Sequence, residues 1–148
     1  MKQIKQQAGF TLIELIMVIV ILGVLSAFAL PRFADLGGEA RTASLQGLAG
    51  SLKAASNIAH AKWLVGGSTG TTVVLEGATG VTLINGYPIA DVAGIDAAAQ
   101  IDAAFVATGG GTTATSARVY TLQTNCTVTY TAAATNSVPT IAVVSTGC

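Results

Sequence analysis

The chain has 148 residues, of which only 9% are charged, and its seven basic and seven acidic residues give a formal net charge of zero. Without a basic surplus, the composition argues against a nucleic-acid-binding protein, whose affinity comes mainly from phosphate contacts. Hydrophobic residues make up 51% of the chain but aromatic residues only 5%. The core therefore has to be built from small and β-branched side chains.

The most apolar part of the chain is the run 10–30, in which Glu14 is the single ionisable residue. As a helix this run would be about 32 Å long at 1.5 Å per residue, enough to cross the ~30 Å hydrocarbon core of a membrane. Lys2 and Lys5 precede it with no acid beside them, and positive charge on that side keeps the N-terminus in the cytoplasm. We therefore expect the rest of the chain to be exported.

Two ordinary interpretations of this run leave Glu14 without a role. A basic start, an apolar stretch and the A-x-A pattern of Ala27-Phe28-Ala29 are typical of a secretory signal peptide, whose mature product would begin at Leu30. The run also suits a permanent single-span anchor. A carboxylate costs about 2.5–3.5 kcal/mol at the centre of a span and less near its end, so Glu14 is tolerated under both interpretations but explained by neither.

Helical periodicity resumes after Pro31, a residue that removes one helical hydrogen bond and kinks or breaks a helix. Gly23, upstream, also weakens the helix locally. Apolar residues recur at three- and four-residue steps, at Leu45, Leu48, Leu52, Ala55 and Ala59. We predict one long helix from 10 to about 61, bent near Pro31, with its apolar face buried against a sheet and Trp63 anchoring its end. A helix that ends at Pro31 is the alternative.

Short strands are predicted after the helix. The first two are 72–75 and 81–84, around the turn Gly77-Ala78-Thr79-Gly80, and Asn85-Gly86 is a strong turn signal. A short helix is predicted over 92–104, with Asp91 as its N-cap. The triplet Gly109-Gly110-Gly111 predicts a break, and three further strands are expected at 118–124, 126–131 and 139–145. A helix followed by strands predicts an α+β fold.

Few residues suggest reactive chemistry. Cys126 and Cys148 lie in the exported part, and in an oxidising compartment they would most simply pair, with two unrelated thiols as the alternative. Two cysteines and the distant His60 cannot supply the four ligands of a zinc site. We expect His60 to be a helix-surface residue and not a catalytic base. The spacing of Asp91, Asp96 and Asp102 is not that of an EF-hand, and we predict no metal, no cofactor and no enzymatic activity.

The residues around the start of the apolar run form a recognisable pattern. Lys2 and Lys5 are followed by Gly9-Phe10-Thr11-Leu12, and then by Glu14 and Leu15. This stretch resembles the leader and cleavage site of type IV pilins and pseudopilins, which have a short basic leader, glycine then phenylalanine at the junction, and a glutamate four residues after the phenylalanine. Within that group we expect a type IVa pilin.

The resemblance implies processing and assembly roles for these residues. A membrane-embedded prepilin peptidase would cut after Gly9, and the new N-terminal Phe10 would be N-methylated. Glycine suits a peptidase that encloses the bond, because a side chain would collide with the enzyme. Glu14 would attract the Phe10 amine of a neighbouring subunit, since an unpaired charge in a dry helical bundle is costly. In filaments of this family the stretch that corresponds to 23–31 is often unwound, so Gly23 and Pro31 mark the expected helix break.

The resemblance also implies the pilin architecture. Its parts are a cleaved leader (1–9), a transmembrane and filament-core helix (10–30) and a periplasmic or extracellular globular domain (31–148), in which the helix packs on an antiparallel sheet. In pilins a C-terminal disulfide bounds an exposed, variable region, which here lies between Cys126 and Cys148. Within it, Asn136-Ser137-Val138-Pro139 is the candidate for the outward-facing tip.

A narrower resemblance involves the globular part. Leu45-Gln46-Gly47-Leu48, Asn85-Gly86-Tyr87-Pro88 and Cys126-Thr127-Val128-Thr129-Tyr130-Thr131 look like segments of mannose-sensitive haemagglutinin-type pilins. The expected function is that of a major pilin, held in the inner membrane of a bacterium until the pilus assembly platform adds it to a homo-oligomeric extracellular filament for attachment or motility. The alternatives are a pseudopilin of a type II secretion system and a membrane-anchored or secreted small binding domain, such as an adhesin.

Overall fold

The computed structural model describes residues 9–77 and 80–148. Lys2, Lys5 and the rest of the predicted leader before Gly9 lie outside the described residues, as do the two central residues of the predicted turn at 77–80. The chain divides into two compact units, Met1–Gly37 and Gly38–Cys148.

One helix, α1 (Leu12–Val65), contains both the apolar run and the periodic stretch that follows it. Pro31 lies inside α1, so the alternative in which the helix ends at the proline is wrong. The helix ends at Val65, a few residues beyond the predicted end near 61. Gly67 follows with a φ of 87°, a conformation that favours glycine, and its N–H donates to the Leu64 carbonyl; such a residue commonly ends a helix.

The apolar stripe predicted on α1 forms the centre of the core of the Gly38–Cys148 unit. All five of its predicted members are buried, namely Leu45, Leu48, Leu52, Ala55 and Ala59. The three leucines pack with Val128 and Tyr130 of the sheet described below. Each fully buried leucine contributes about 1.5–3 kcal/mol relative to an exposed one, so this stripe fixes how α1 packs within the unit.

A small antiparallel sheet follows α1, with strands β1 (Thr72–Val73), β2 (Val81–Ile84) and β3 (Tyr87–Pro88). Asn85 and Gly86 join β2 to β3 and have φ values of 52° and 79°. Positive φ at both central residues is what a type I′ hairpin turn requires, so the predicted turn is confirmed. Strand β1 is shorter than the predicted 72–75. Strand β3 was not predicted, because it has only two residues and one of them is a proline. A sheet tolerates proline in an edge strand such as this one.

A short helical segment connects the two sheets. It consists of a π-helical turn (Val92–Asp96) followed by α2 (Ala97–Ala99). The carboxylate of Asp91 accepts a hydrogen bond from the Val92 N–H at 2.7 Å, which confirms Asp91 as the N-cap. The predicted extent of 92–104 is wrong, because Gln100 adopts a left-handed φ of 50° and ends the helix.

A four-stranded antiparallel sheet packs on the apolar stripe of α1. Its strands, in order across the sheet, are β4 (Val106–Gly109), β5 (Ala117–Gln123), β6 (Cys126–Thr131) and β7 (Thr140–Val144). Strands β5, β6 and β7 agree closely with the prediction. Strand β4 was missed because it runs into the glycine triplet; pairing with β5 holds it in the sheet. The helix and the sheets confirm the α+β fold class.

Alternation along β6 gives this sheet two different faces. Cys126, Val128 and Tyr130 are buried towards α1, while the residues between them are half-buried and point to the opposite side. We call that opposite side the outer face. The strand register arranges it in three rows of threonine, valine and alanine: Val106, Thr121, Thr127 and Val144; then Thr108, Val119, Thr129 and Ala142; then Ala117, Thr131 and Thr140.

Candidate assembly and anchoring site

The first unit presents apolar side chains that nothing in the described part of this unit covers. Phe10 is 93% exposed, and the large apolar residues of α1 from Leu12 to Phe33 are exposed as well. An 18-residue window of α1 has a mean hydropathy of 2.7, and by length and composition the helix is long and apolar enough to cross a membrane. So much exposed hydrocarbon is unfavourable in water, and this segment therefore requires lipid or other helices around it.

Thr11 and Glu14 form a reciprocal cap at the start of α1. The Thr11 hydroxyl and the Thr11 N–H both donate to Glu14 Oε2, at 2.9 and 3.1 Å, and the Glu14 N–H donates to Thr11 Oγ1 at 3.3 Å. The Thr11 carbonyl accepts the first helical bond, from the Leu15 N–H. This is the capping box, in which a Ser or Thr N-cap pairs with an acidic or amide residue three positions later.

Sequence reasoning assigned Glu14 an intersubunit role and missed this local one. The signal was present, because Thr11 and Glu14 have the T-x-x-E spacing of a capping box directly before an apolar run. The other predicted processing residues, Gly9 and Phe10, precede the helix and are non-helical and exposed. Among the described residues, Glu14 Oε1 receives no hydrogen bond, so one oxygen of the carboxylate is free for a further donor.

The predicted helix break lies in a continuous stretch of α1. Helix runs through both Gly23 and Pro31, and the Ser26 hydroxyl donates to the Leu22 carbonyl at 2.7 Å. Such back-bonding competes with the helical ladder, and Pro31 cannot donate to the Ala27 carbonyl. These features weaken the helix locally; unwinding in a filament stays a prediction.

The predicted disulfide is confirmed. Cys126 and Cys148 are bonded, with their Cα atoms 4.9 Å apart, and the bond joins the buried start of β6 to the segment after β7. The Arg41 Nε of α1 donates to the Cys148 carbonyl at 2.8 Å, and Gln123 Nε2 donates to the Gly147 and Cys148 carbonyls. The segment after β7 is therefore bound to β6 by the disulfide, and to α1 and β5 by hydrogen bonds from the Arg41 and Gln123 side chains.

His60 differs from its prediction as a helix-surface residue. It is half-buried and stacks on Tyr87, with ring centroids 4.0 Å apart and an interplanar angle of 4°, and on Trp63 at 5.6 Å. Because the Gly86 carbonyl can only accept, His60 Nδ1, 2.9 Å away, must carry the proton. Trp63 Nε1 donates to the Gly70 carbonyl at 3.1 Å, and its ring packs beside the small sheet, which confirms its anchoring role.

Asp96 belongs to an ion pair that ties the short helical segment to the large sheet. Arg118 Nη2 lies 2.6 Å from Asp96 Oδ2, with the two side chains only 12% and 16% exposed, and the Tyr120 hydroxyl donates to Oδ1 at 2.5 Å. The hydrogen bond with Asp96 raises the pKa of Arg118 above its usual range. Burial, and then the bond to Asp96, raises the pKa of Tyr120.

Tyr130 is fully buried beneath the same sheet, and its hydroxyl donates to the Pro88 carbonyl at 2.8 Å. Burial raises the pKa of Tyr130 to about 12. Over residues 9–77 and 80–148, no group of three or more His, Cys, Asp or Glu residues could hold a metal ion. The Tyr130 hydroxyl thus joins β6 of the large sheet to β3 of the small one.

The proposed tip is a surface turn. The Ser137 N–H donates to the Ala134 carbonyl at 3.1 Å, Asn136 has a φ of 57°, and Val138 is 62% exposed. Its orientation in an assembly stays a prediction.

Comparison with known proteins adds to this geometry. Residues 4–30 match the family model of the prokaryotic N-terminal methylation motif. The type IV narrow pilus major component PilA5 of Thermus thermophilus is 51% identical over 51 residues, which are 34% of this chain and 44% of that protein. The type IV major fimbrial protein FimA of Dichelobacter nodosus is 35% identical over 96 residues, 60% of this chain and 58% of that protein.

The chain thus spans about half the length of the curated relatives it matches, and no solved structure gives a significant match. The narrower likeness to mannose-sensitive haemagglutinin-type pilins stays a prediction, since neither relative carries that name. In its N-terminal methylation motif, in its similarity to two major type IV pilus proteins and in its α+β fold with a C-terminal disulfide, the chain is similar to type IV pilins.

Proposed function

We propose that this protein is the major structural subunit of a type IV pilus, a non-catalytic protein that polymerises through α1. The observation that carries the proposal is the unit before Gly38, whose apolar helix surface is exposed along its length. Lipid covers this surface in the inner membrane, and neighbouring copies of the same helix cover it in an extracellular filament. The names of the two relatives, both major pilus components, support this role.

Processing precedes assembly in this proposal. A prepilin peptidase removes residues 1–9 by cutting between Gly9 and Phe10, and the new amine of Phe10 is methylated. Both residues lie outside the helix, where a peptidase can reach the bond between them. A pilus assembly platform then takes the mature subunit from the membrane, so the enzyme and the platform are its partners before other copies of itself.

Glu14 sets the stagger between subunits. Thr11 holds the carboxylate through Oε2, and Oε1 can then accept a hydrogen bond from the charged Phe10 amine of a neighbouring subunit. A subunit in the wrong stagger leaves the carboxylate without its cation in an apolar bundle, which is strongly unfavourable. Gly23 and Pro31 supply the place where the helix unwinds as the bundle forms.

Mass measurement and microscopy test the function in two steps. The intact mass of the membrane-extracted protein should equal a chain that begins at methylated Phe10. A chain that begins at Leu30 instead would indicate an ordinary secreted domain and overturn the proposal. Electron microscopy of material sheared from cells should then reveal fibres made of this chain; processed subunits that never form surface fibres would indicate a pseudopilin.

A further inference from the structure

We propose that the outer face of the four-stranded sheet binds a second copy of the same face, so that assembled fibres associate side by side. The inference rests on the proposed function, because it concerns fibres. It comes from the strand register, which places only threonine, valine and alanine on this face. In a fibre whose subunits are joined through α1, the side of the sheet away from α1 is available for other contacts.

The outer face carries no charged side chain. The chain has seven basic and seven acidic residues, and none of them lies on the outer face. The sheet's one charged side chain on a core-facing position, Arg118, turns to Asp96 and is satisfied there. Two outer faces can therefore meet without burying an unpaired charge and without opposing like charges, both of which are strongly unfavourable.

The outer face is also complementary to a second copy of itself. A threonine hydroxyl both donates and accepts a hydrogen bond, so rows of threonine satisfy identical rows on a twofold-related copy. Lysine or carboxylate rows could not do so, because those groups only donate or only accept. The valine, alanine and threonine methyl groups supply the apolar contact that stacked sheets require, and Val106 and Val144 at the two edges are 62% and 43% exposed.

The area of the outer face limits which complexes it can stabilise. Four strands at about 4.8 Å and five residues at about 3.4 Å each give a face of roughly 300–400 Å². A pair of faces would bury about 700 Å², below the 1,200–2,000 Å² of a stable complex. Single subunits should therefore not dimerise through this face. A fibre repeats it many times, and a multivalent contact holds when each of its members is weak.

Thr129 lies in the central row of the face, on a central strand, and gives the sharpest test. Fibres sheared from cells that express Thr129→Lys should stay single, with a several-fold loss of fibre protein from a low-speed pellet that contains wild-type bundles. High salt should restore bundling, because the Debye length falls to about 3 Å at 1 M. A folding defect would not respond in this way, and fibre assembly itself reports that the subunit is folded.

A charge-swap experiment identifies the partner. Thr129→Glu fibres alone should also stay single, whereas a mixture of Thr129→Lys and Thr129→Glu fibres should form mixed bundles. The control is Thr69→Lys, which adds the same charge at an exposed loop position away from the sheet and should bundle as wild type does.

The outcomes separate the two proposals. Wild-type fibres that stay single, Thr129→Lys fibres that bundle like wild type, or lysine and glutamate fibres that do not combine would each overturn this inference and leave the pilin function intact. The absence of any wild-type fibre would overturn the proposed function and this inference together.

Discussion

Thr11 and Glu14 cap each other across the first turn of α1, through two bonds to Glu14 Oε2 and one to Thr11 Oγ1. Glu14 therefore has a local role that is independent of any neighbour. Its carboxylate accepts a hydrogen bond from the Thr11 N–H, which would otherwise face the apolar surroundings unpaired, and its negative charge is favoured at the positive end of the helix dipole.

The capping role of Glu14 and its proposed role between subunits can be separated by substitution. Glu14→Gln keeps a side chain that suits this capping position but removes the charge, so we expect normal insertion and cleavage with loss of fibres. Thr11→Ala removes the cap, at about 1 kcal/mol, and keeps the charge, so fibres should form in reduced amount. Glu14→Ala removes both and should also insert but not assemble. The measurement is sheared fibre protein relative to processed pilin in the membrane, with cleavage checked by intact mass.

The opposite pattern would contradict the charge argument. Wild-type fibre yield from Glu14→Gln, with failure of Thr11→Ala, would assign Glu14 to helix capping alone.

Loss of the disulfide should destabilise the globular unit. Cys126 and Cys148 are separated by 22 residues, and closing such a loop contributes about 3 kcal/mol on the chain-entropy account. The double variant Cys126→Ala/Cys148→Ala should lower the free energy of unfolding of the detergent-solubilised chain by about this amount, as measured in urea by circular dichroism. Reduced wild type is the control and should match it; a double variant as stable as the oxidised wild type would refute the expectation.

The ion pair between Arg118 and Asp96 should be strongly coupled. Arg118→Met leaves a largely buried carboxylate without its cation and should cost roughly 2–4 kcal/mol of unfolding free energy. Adding Asp96→Asn removes the stranded charge, so the double variant should lose clearly less than the sum of the two single losses. Additive losses in urea unfolding would show that the two side chains do not stabilise each other.

Alkaline pH should unfold this unit through its tyrosines. The pKa of buried Tyr130 is raised to about 12 against an unfolded value near 10, so between these values the unfolded chain binds fewer protons and stability falls as pH rises. The loss from this residue is at most about 2–3 kcal/mol and is absent below pH ~10. Urea unfolding at pH 8 to 11 measures it. Tyr130→Phe lowers stability at neutral pH, because the Pro88 carbonyl loses its donor, but it should flatten the alkaline slope; an unchanged slope would be contrary to this account.

Two glycines with similar backbone angles offer a matched test of the aromatic stack. Gly86 and Gly67 have φ of 79° and 87°, but an added Cβ at Gly86 would lie 2.7 Å from the Trp63 ring, whereas nothing lies within 4 Å at Gly67. Gly67→Ala should cost about 1–2 kcal/mol for the backbone conformation alone. Gly86→Ala should cost a further ~1–3 kcal/mol for the clash. Equal losses in thermal unfolding would indicate that Trp63 moves aside freely.

Helices and strands with a repeated apolar pattern could be predicted from the sequence, whereas features that depend on tertiary contacts could not. The leucine stripe of α1 and the alternation of β6 are repeated signals, and the structure has both. Strand β4 is an edge strand before a glycine triplet, and only pairing with β5 specifies it. His60 looked like a surface residue because the chain alone does not reveal that Tyr87, 27 positions later, stacks on it.

In the candidate site, too, the features that form a local sequence motif could be predicted, whereas those that depend on distant contacts could not. The Gly9-Phe10 junction and the position of Glu14 are visible in the sequence as a local motif, and so is the T-x-x-E spacing of the cap between Thr11 and Glu14. The hydrogen bond from Arg41 to the Cys148 carbonyl joins residues 107 positions apart, and the sequence around neither residue indicates it.

The cap also bears on the proposed removal of a leader. Proteases bind their substrates in an extended conformation, because in a helix the bond to be cut lies within the hydrogen-bonded backbone. Because Thr11 caps the helix so that it begins at Leu12, the peptide bond between Gly9 and Phe10 lies outside the helix. A weaker cap would allow the helix to extend backwards over this linkage. If a leader is removed here, as we propose, the two side chains that start α1 also keep the bond open to the peptidase.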